Sequence, residues 1–279
     1  MPVHSGSIIG QGEDLKSEPT FGISGTLRCH RVVVAVLMAF LVCTCYCSAQ
    51  TRLTVSAAAS LKDALAETET AYKQAKANIE FSNNFGSSGT LAVQIDQGAP
   101  VDLFLSAAAK PMDELEVKGL IVAGTRRNLL RNTLVLIVPL DSKLSGFQGL
   151  TDGSIRTIAL GDPASVPAGQ YGRQTLAALH LLDKLNQKLV LGKDVRQVLT
   201  YVETGNADAG LVYTTDAQAS GRVRVVATAP ESTHDPIVYS VAVIKGSRNE
   251  DTSRKFVEFL SSPMAQAIFV KHGFTIATL

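Results

Sequence analysis

The residues of this sequence that could do chemistry are small and uncharged, and they recur where an apolar strand pattern gives way to a helical one. Ser60 ends the run "RLTVSAAAS", Ser88 lies in "FGSSGT", and Ala168 and Val195 open two later helical patterns. Helix N-termini expose unpaired backbone N–H groups and carry about half a positive charge, so they can bind an anion without a basic side chain. A serine hydroxyl there can donate to an oxyanion or cap its own helix, and by the residues alone capping is the commoner role.

Tyrosine and histidine provide the other candidate groups. Tyr213 ends the strand pattern "ADAGLVY" and could direct its hydroxyl into a cleft, although a tyrosine in such a place more often packs in the core. His180 falls on an apolar helical face, which predicts a packed or edge histidine, and His234 and His272 are isolated in the sequence. Because no pair has the spacing of metal ligands, we predict no metal-chelating cluster and no cofactor.

The common motifs of hydrolysis and nucleotide binding are missing from the sequence. "GSSGT" is not the G-x-S-x-G elbow of a hydrolase, "LGKD" lacks the flanking residues of a phosphate-binding loop, and no G-x-G-x-x-G follows a strand. A Ser–His–Asp set could still assemble in three dimensions. A secreted serine hydrolase therefore stays open as an alternative.

Composition narrows the class of protein further. The chain has 279 residues, of which 46% are hydrophobic and 18% charged, and its formal net charge is +1. That length is enough for a large hydrophobic core. Nucleic-acid binding requires clustered lysine and arginine, and the sequence contains no such cluster, so we expect no nucleic-acid partner.

Residues 1–49 are predicted to be a secretory signal peptide with an extension in front of it. Two arginines precede the uncharged run Val32–Val42, which is too short to span a bilayer. Small residues then lead to a cleavage site after Ala49. We therefore expect export to the periplasm, and the polar residues 1–27 indicate a start codon assigned too far upstream.

The cysteines are confined to this leader. None of the last three follows a convincing lipobox, which disfavours a lipid anchor. The exported chain is left without a disulfide, a thiol nucleophile or a thiolate metal site. The four cysteines are Cys29, Cys43, Cys45 and Cys47.

Strand and helix patterns alternate along the rest of the chain, which is typical of an α/β fold with a parallel sheet. "SLKDALAETETAYKQAK" predicts a helix capped by Ser60 with Asp63 in a capping box, and Ser88 is predicted to cap the helix of "GTLAVQIDQG". "AGQYGRQTLAALHLLDKL" predicts one helix entered after Pro167, and "DVRQVLTYVETG" predicts another capped by Asp194. The order of the patterns indicates two α/β lobes of similar size, with the chain crossing between them more than once.

Five ordered blocks of the sequence resemble the molybdate-binding proteins of ABC importers, which are periplasmic receptors of the type II binding-protein fold. This resemblance implies an α/β fold with two lobes, each a mostly parallel sheet flanked by helices, and a ligand in the interlobe cleft. It places lobe 1 at residues 50–130 and 237–279 and lobe 2 at residues 131–236. The blocks are "AAASLKDAL", "FGSSGTLAVQIDQGAPVDLFLSA", "GDPASVPAGQYGRQTL", "DVRQVLTYVETGNADAGLVYTTDA" and "GFTIA".

The resemblance also implies a site that holds a tetrahedral dianion by hydroxyl and backbone N–H donors, without a charged side chain. Ser60 and Ser88 match the two serines that serve the ligand from the first lobe. Ala168 and Val195 match residues that offer backbone N–H groups from the second lobe, and Tyr213 matches a tyrosine that offers its hydroxyl. Molybdenum would then be bound as molybdate through these five residues.

The function implied is capture of molybdate, and of tungstate, for delivery to an ABC permease in the membrane, by a monomer without catalysis. A pocket that offers only donors rejects an anion carrying a proton, because that proton needs an acceptor. Sulfate carries no proton and must be rejected by its size. A receptor for sulfate or another oxyanion on the same fold is the alternative within this class.

Overall fold

The structure is a computed structural model that describes residues 50–76 and 78–277. The predicted signal peptide, its cleavage site and the four cysteines lie outside the described residues. Those that are described belong to one compact unit, Gln50–Leu279. Within that unit, no described helix has both the length and the apolar character that a membrane span requires.

Strands make up the framework of this unit. They are numbered in chain order as β1 (Thr51–Ala58), β2 (Ile79–Gly86), β3 (Leu103–Ser106), β4 (Arg127–Arg131), β5 (Leu134–Pro139), β6 (Ile158–Gly161), β7 (Leu189–Gly192), β8 (Ala209–Tyr213), β9 (Val223–Thr228), β10 (Val238–Val243) and β11 (Thr275–Ile276).

Helices cover the faces of the sheets and close the chain. They are α1 (Lys62–Ala75), α2 (Ser88–Asp96), α3 (Ala109–Val117), α4 (Pro167–Ala178), α5 (Leu182–Leu185), α6 (Val195–Glu203), α7 (Thr214–Gln218), α8 (Glu250–Leu260) and α9 (Pro263–Lys271).

The strands form two sheets, one in the order β11-β4-β10-β3-β1-β2 and the other in the order β7-β6-β8-β5-β9. We call the first sheet with α1–α3, α8 and α9 the first lobe, and the second sheet with α4–α7 the second lobe. The second sheet has a core strand of continuous apolar residues, "LVLIV" of β5, where Leu134, Leu136 and Val138 are fully buried. The predicted two-lobed α/β fold class is confirmed.

Both sheets are mixed rather than mostly parallel. Strand β1 runs parallel to β2 and β3, and β6 runs parallel to β7 and β8. Strand β10 is antiparallel to both β3 and β4, and β5 is antiparallel to both β8 and β9. The cause is the crossing of the chain: β4 leaves and β10 enters the first sheet at the end that faces the second lobe, so β10 runs against its neighbours.

Two segments connect the lobes, from β4 to β5 and from β9 to β10. They are hydrogen-bonded to each other, since Asn132 N donates to Ile237 O at 3.3 Å and Ala229 N donates to Leu134 O at 2.9 Å. A paired crossing of this kind allows one lobe to rotate on the other as a hinge.

One helix prediction is wrong. The pattern that predicts a single helix after Pro167 is broken, because α4 ends at Ala178 and His180 adopts a left-handed φ of 56° before α5 begins. Leu181 N donates back to Leu176 O at 2.8 Å, which is the six-residue hydrogen bond of a Schellman ending. His180 takes the left-handed position where glycine is usual, and its side chain is exposed, which agrees with the edge histidine rather than the packed one.

Candidate functional site

A small cavity lies between the lobes, where the ends of β1, β2, β3 and β8 meet the starts of α2, α4 and α6. It has an empty volume of about 210 Å³, counted to its opening toward solvent. None of the described residues that line it carries a charged side chain. The lining is Ala58, Ala59, Ser60, Gly86, Ser87, Ser88, Ala107, Val166, Pro167, Ala168, Val195 and Tyr213.

Ser60 lies in a short 3₁₀ turn, Ala59–Leu61, that joins β1 to α1. The prediction that Ser60 caps α1 is wrong: the N-cap position is Leu61, and it has no side-chain cap. The Ser60 Oγ atom lies 2.8 Å from Tyr239 Oη instead. The hydroxyl is thus held by a side chain of β10 and is positioned at the cavity.

Ser88 is the first residue of α2 and is fully buried. The prediction that it caps this helix is also wrong, by one position, because the cap is Ser87, whose Oγ accepts from Thr90 N at 3.3 Å. Ser88 Oγ accepts from Ala107 N at 2.9 Å. A hydroxyl can donate as well as accept, and none of the described residues takes the Ser88 proton, so it is available to a ligand.

The second lobe presents two helix N-termini to the cavity. Ala168 is the second residue of α4, whose N-cap Val166 provides no side-chain cap, and Val195 is the first residue of α6. Asp194 caps α6 by accepting from Gln197 N at 2.9 Å. The cap therefore does not use the N–H group of Val195, which precedes Gln197 in the first turn. The first N–H groups of a helix have no intrahelical acceptor, so both backbones can donate to an anion.

Helix α4 approaches β6 very closely at two glycines. A Cβ atom on Gly169 would lie only 1.9 Å from Gly161 O, so only glycine fits there. This contact sets the start of α4, with its Ala168 N–H, directly against the end of β6.

Tyr213 ends β8 at the cavity wall and is 1% exposed. Its hydroxyl is buried and has no hydrogen-bond partner among the described residues. Burial raises the pKa of this phenol well above its ordinary value, with a smaller contribution from neighbouring Tyr239, so it stays protonated. An unpaired buried hydroxyl costs about 1–3 kcal/mol, which a ligand that accepts its proton would offset.

The structure therefore brings all five predicted residues to one cavity: Ser60, Ser88, Ala168, Val195 and Tyr213. Their role toward a ligand stays a prediction. Three helix N-termini and four hydroxyls, with Ser87 as the fourth, converge on a space that no charged side chain of the described residues lines, and such a space suits a small anion.

Sequence reasoning missed Tyr239 and Asn132, which stand behind Ser60. Tyr239 belongs to β10 and is 1% exposed, and its Oη atom accepts from Asn132 Nδ2 at 3.3 Å. Neither residue belongs to a recognisable motif, since "PIVYSVAV" reads only as a buried strand and Asn132 only as the residue before one.

Arg196 and two aspartates were missed as well. Arg196 follows Val195 in α6, and its guanidinium lies 2.8 Å from Asp216 in its own lobe and 2.7 Å from Asp63 in the first lobe. Asp216 is fully buried, and burial raises its pKa to about 6 although Arg196 acts to lower it. These charges lie beside the cavity without lining it.

The lobes touch directly next to the cavity. Gly89 N at the start of α2 donates to Ser165 O in the second lobe at 3.0 Å. A Cβ atom on Gly89 would lie 2.6 Å from that oxygen. Together with the Asp63–Arg196 ion pair, this contact holds the lobes against each other around the small cavity.

None of the three cavity serines has a histidine partner among the described residues. His272 Nε2 lies 2.9 Å from a Glu67 carboxylate oxygen, and His234 Nδ1 lies 2.7 Å from Asp235 O. Nothing in residues 50–76 and 78–277 thus supports the hydrolase alternative. No group of three His, Cys, Asp or Glu side chains among these residues could hold a metal ion.

Comparison with known proteins identifies relatives over nearly the whole described unit. The sequence model of a family described as bacterial extracellular solute-binding protein matches residues 53–275. A Bacillus subtilis protein named putative ABC transporter substrate-binding lipoprotein YvgL is 44% identical, over 88% of this chain and 98% of its own length. Molybdate-binding protein ModA of Haemophilus influenzae is 41% identical, over 82% of this chain and 91% of its own.

A solved structure is similar as well. The substrate-binding domain of a putative molybdenum ABC transporter from Clostridium difficile has 46% sequence identity and a TM-score of 0.65. The match covers 82% of this chain and 100% of that domain.

Proposed function

This chain belongs to the family of bacterial extracellular solute-binding proteins, and on that premise we propose that it captures molybdate in the cavity between its lobes and delivers it to an ABC permease. Relatives named for molybdate binding and for an ABC transporter support this ligand and this role. The protein would act outside the cytoplasmic membrane, as a monomer and without catalysing a reaction. Removal of residues 1–49 on export is part of the same proposal.

The observation that carries the proposal is the buried Tyr213 hydroxyl, which has no partner among the described residues, in a cavity lined also by serine hydroxyls and helix N–H groups that can donate. The four oxygens of molybdate can only accept hydrogen bonds, so they match such a set of groups. Each hydrogen bond to a charged group contributes roughly 1.5–3 kcal/mol. Five or more would offset the desolvation of the anion and leave the ~8 kcal/mol that corresponds to micromolar binding.

Selectivity follows from the same set of groups. Tungstate has the same shape and charge as molybdate, and we propose that it binds too. Hydrogenphosphate carries a proton that needs an acceptor, and a cavity of donors leaves that proton unpaired. Sulfate is smaller, so it would not reach all of the donors at once.

The test is a titration of the purified protein with molybdate, tungstate, sulfate and phosphate, followed by thermal unfolding and by calorimetry. At a hundredfold excess over Kd, binding should add about 2.7 kcal/mol of stability. For a protein of this size, that corresponds to a rise in Tm of about 5–10 °C. A rise with molybdate and tungstate alone supports the proposal. An equal rise with sulfate would identify a receptor for another oxyanion, and no rise with any of the four would refute an oxyanion ligand.

A further inference from the structure

A line of hydrogen bonds runs from the hinge to the cavity. Thr133 N donates to Asn132 Oδ1 at 2.8 Å, Asn132 Nδ2 lies 3.3 Å from Tyr239 Oη, and Tyr239 Oη lies 2.8 Å from Ser60 Oγ. The line begins in the segment between β4 and β5, passes through β10 and ends at the cavity wall.

The Asn132 amide is fixed in one orientation. A backbone N–H can only donate, so the side-chain atom that receives the Thr133 N–H must be the Asn132 oxygen. The amide nitrogen then faces Tyr239 Oη and Thr215 Oγ1, the latter at 3.0 Å. Asn132 is therefore a donor toward Tyr239.

Tyr239 in turn must donate to Ser60. Its oxygen already accepts from Asn132, and the nearby Tyr213 hydroxyl makes no hydrogen bond with any described residue. If Ser60 donated to Tyr239, the buried Tyr239 proton would be left without a partner, which is unfavourable. Burial also raises the pKa of Tyr239 well above its ordinary value, so the phenol keeps its proton.

Ser60 is then left with one proton and only the cavity to donate it to. A serine hydroxyl without such a constraint can rotate and act as either donor or acceptor. Here one lone pair of the Ser60 oxygen accepts the Tyr239 proton, so the O–H group of Ser60 cannot point at Tyr239 and is directed toward the ligand space that Ser60 lines.

We propose that Asn132 and Tyr239 are positioning residues that hold Ser60 as an obligatory hydrogen-bond donor, and that they thereby make the site reject dianions that carry a proton. This inference rests on the proposed function. Hydrogenphosphate must donate its P–OH proton, and a Ser60 free to rotate would accept it. When Ser60 accepts the Tyr239 proton, its own O–H group points at the ligand instead, and there it meets the P–OH proton of hydrogenphosphate.

The first test is Tyr239→Phe, which removes the donor behind Ser60 and keeps the ring. At mildly alkaline pH, inorganic phosphate is mostly a dianion with one proton, so it matches molybdate in charge. The expected result is that the affinity for phosphate relative to molybdate rises about tenfold, the equivalent of one hydrogen bond. Tyr72→Phe is the matched control, because Tyr72 is buried between Phe81 and Phe256 and does not line the cavity.

The second test is Asn132→Asp, which reverses the line. A carboxylate oxygen in place of the amide nitrogen would accept the Tyr239 proton, and Ser60 would then donate to Tyr239 and offer a lone pair to the cavity. The added negative charge repels molybdate and hydrogenphosphate alike, so the measured quantity is the ratio of their two Kd values. That ratio should shift toward phosphate by more than in Tyr239→Phe.

Titration calorimetry of the full chain with molybdate and with phosphate distinguishes the outcomes. If the parent protein does not bind molybdate, the proposed function fails, independently of any variant. If it does, an unchanged ratio in Tyr239→Phe overturns the inference, as does an equal loss of both ligands, which is the result of a merely structural hydroxyl. Thermal unfolding without ligand checks each fold, and should Asn132→Asp fail to fold, Tyr239→Phe still decides.

Discussion

At the scale of single residues, the hydroxyls of the cavity differ in what they do for the ligand-free protein. The Tyr213 hydroxyl is buried and has no partner within residues 50–76 and 78–277, so Tyr213→Phe should raise ligand-free stability by about 1 kcal/mol. The same change should weaken molybdate binding about tenfold or more, because the ligand loses a donor. Urea unfolding and calorimetry measure the two effects, and loss of stability together with unchanged affinity would contradict the assignment. Tyr72→Phe again serves as the control.

Ser88, unlike Tyr213, stabilises the ligand-free protein, because its oxygen accepts from the backbone N–H of Ala107. Ser88→Ala should weaken molybdate binding about tenfold and also lower stability by about 1–3 kcal/mol, since that N–H is left unpaired. Ser262→Ala is a matched control, because Ser262 caps α9 by accepting from Ala265 N at 3.3 Å, outside the cavity. The control should lower stability by about 1 kcal/mol and leave affinity unchanged. A Ser88→Ala protein that unfolds more easily but keeps its affinity would assign Ser88 a structural role alone.

The identity of the cavity residues could be predicted from their position after strands, but their hydrogen bonds could not. Ser60 and Ser88 both fit a capping pattern in the sequence, and in the structure both hydroxyls take other partners. The deciding partner of Ser60 is Tyr239, far along the chain in a strand of the opposite direction. A local pattern contains no information about such a contact, so the sequence did not indicate that Tyr239 and Asn132 belong to the site.

At the scale of elements, α1 carries a carboxyl group that gives the fold a pH dependence. Glu69 is 7% exposed, and burial raises its pKa from 4.5 to about 7, although Asn83 donates to it at 2.9 Å. The folded protein therefore holds this proton more tightly than the unfolded chain does. The contribution of Glu69 to the free energy of unfolding is therefore largest below pH 4.5 and is lost as the pH rises through about 7.

Glu69→Gln should remove this fall. The gain in unfolding free energy above neutral pH should reach up to about 3 kcal/mol, the equivalent of a pKa shift of this size. Urea unfolding at acidic and alkaline pH measures it. Glu67→Gln is a control of opposite sign, because hydrogen bonds from Lys271 and His272 lower the pKa of Glu67. An equally steep fall in Glu69→Gln would show that another group is responsible.

Most elements could be predicted from strand and helix periodicity, and the errors have local causes. The break at His180 was missed because a Schellman ending usually contains glycine, and here a histidine takes the left-handed position. Strands β4 and β7 show no clear strand pattern in the sequence, because they are short and partly exposed, as in "RNLLR" and "LVLG". Their place in a sheet depends on neighbours that are distant in sequence.

At the scale of the whole molecule, Asp63→Asn should weaken the contact between the lobes. The Asp63–Arg196 ion pair joins the two lobes at 2.7 Å, but both side chains are partly exposed, so it contributes about 0.2–1 kcal/mol. The affinity for molybdate should fall up to about fivefold, mainly through faster dissociation. Stopped-flow dissociation measures this rate. Asp113→Asn is the control, because Asp113 forms its ion pair with Arg126, at 2.7 Å, within one lobe. Equal rates of molybdate dissociation from the two variants would contradict a role of Asp63 in closure.

The position of β10 also has a consequence for the order in which the molecule can assemble. It lies between β3 and β4 in the first sheet. The ribosome therefore synthesises β3 and β4 long before β10, the strand that joins them. The second sheet, by contrast, is drawn from one continuous stretch, β5 to β9. A nascent chain can therefore complete its second lobe while the first waits for its late strand. Because β10 also carries Tyr239, the cavity reaches its final form only after almost the entire polypeptide has been synthesised.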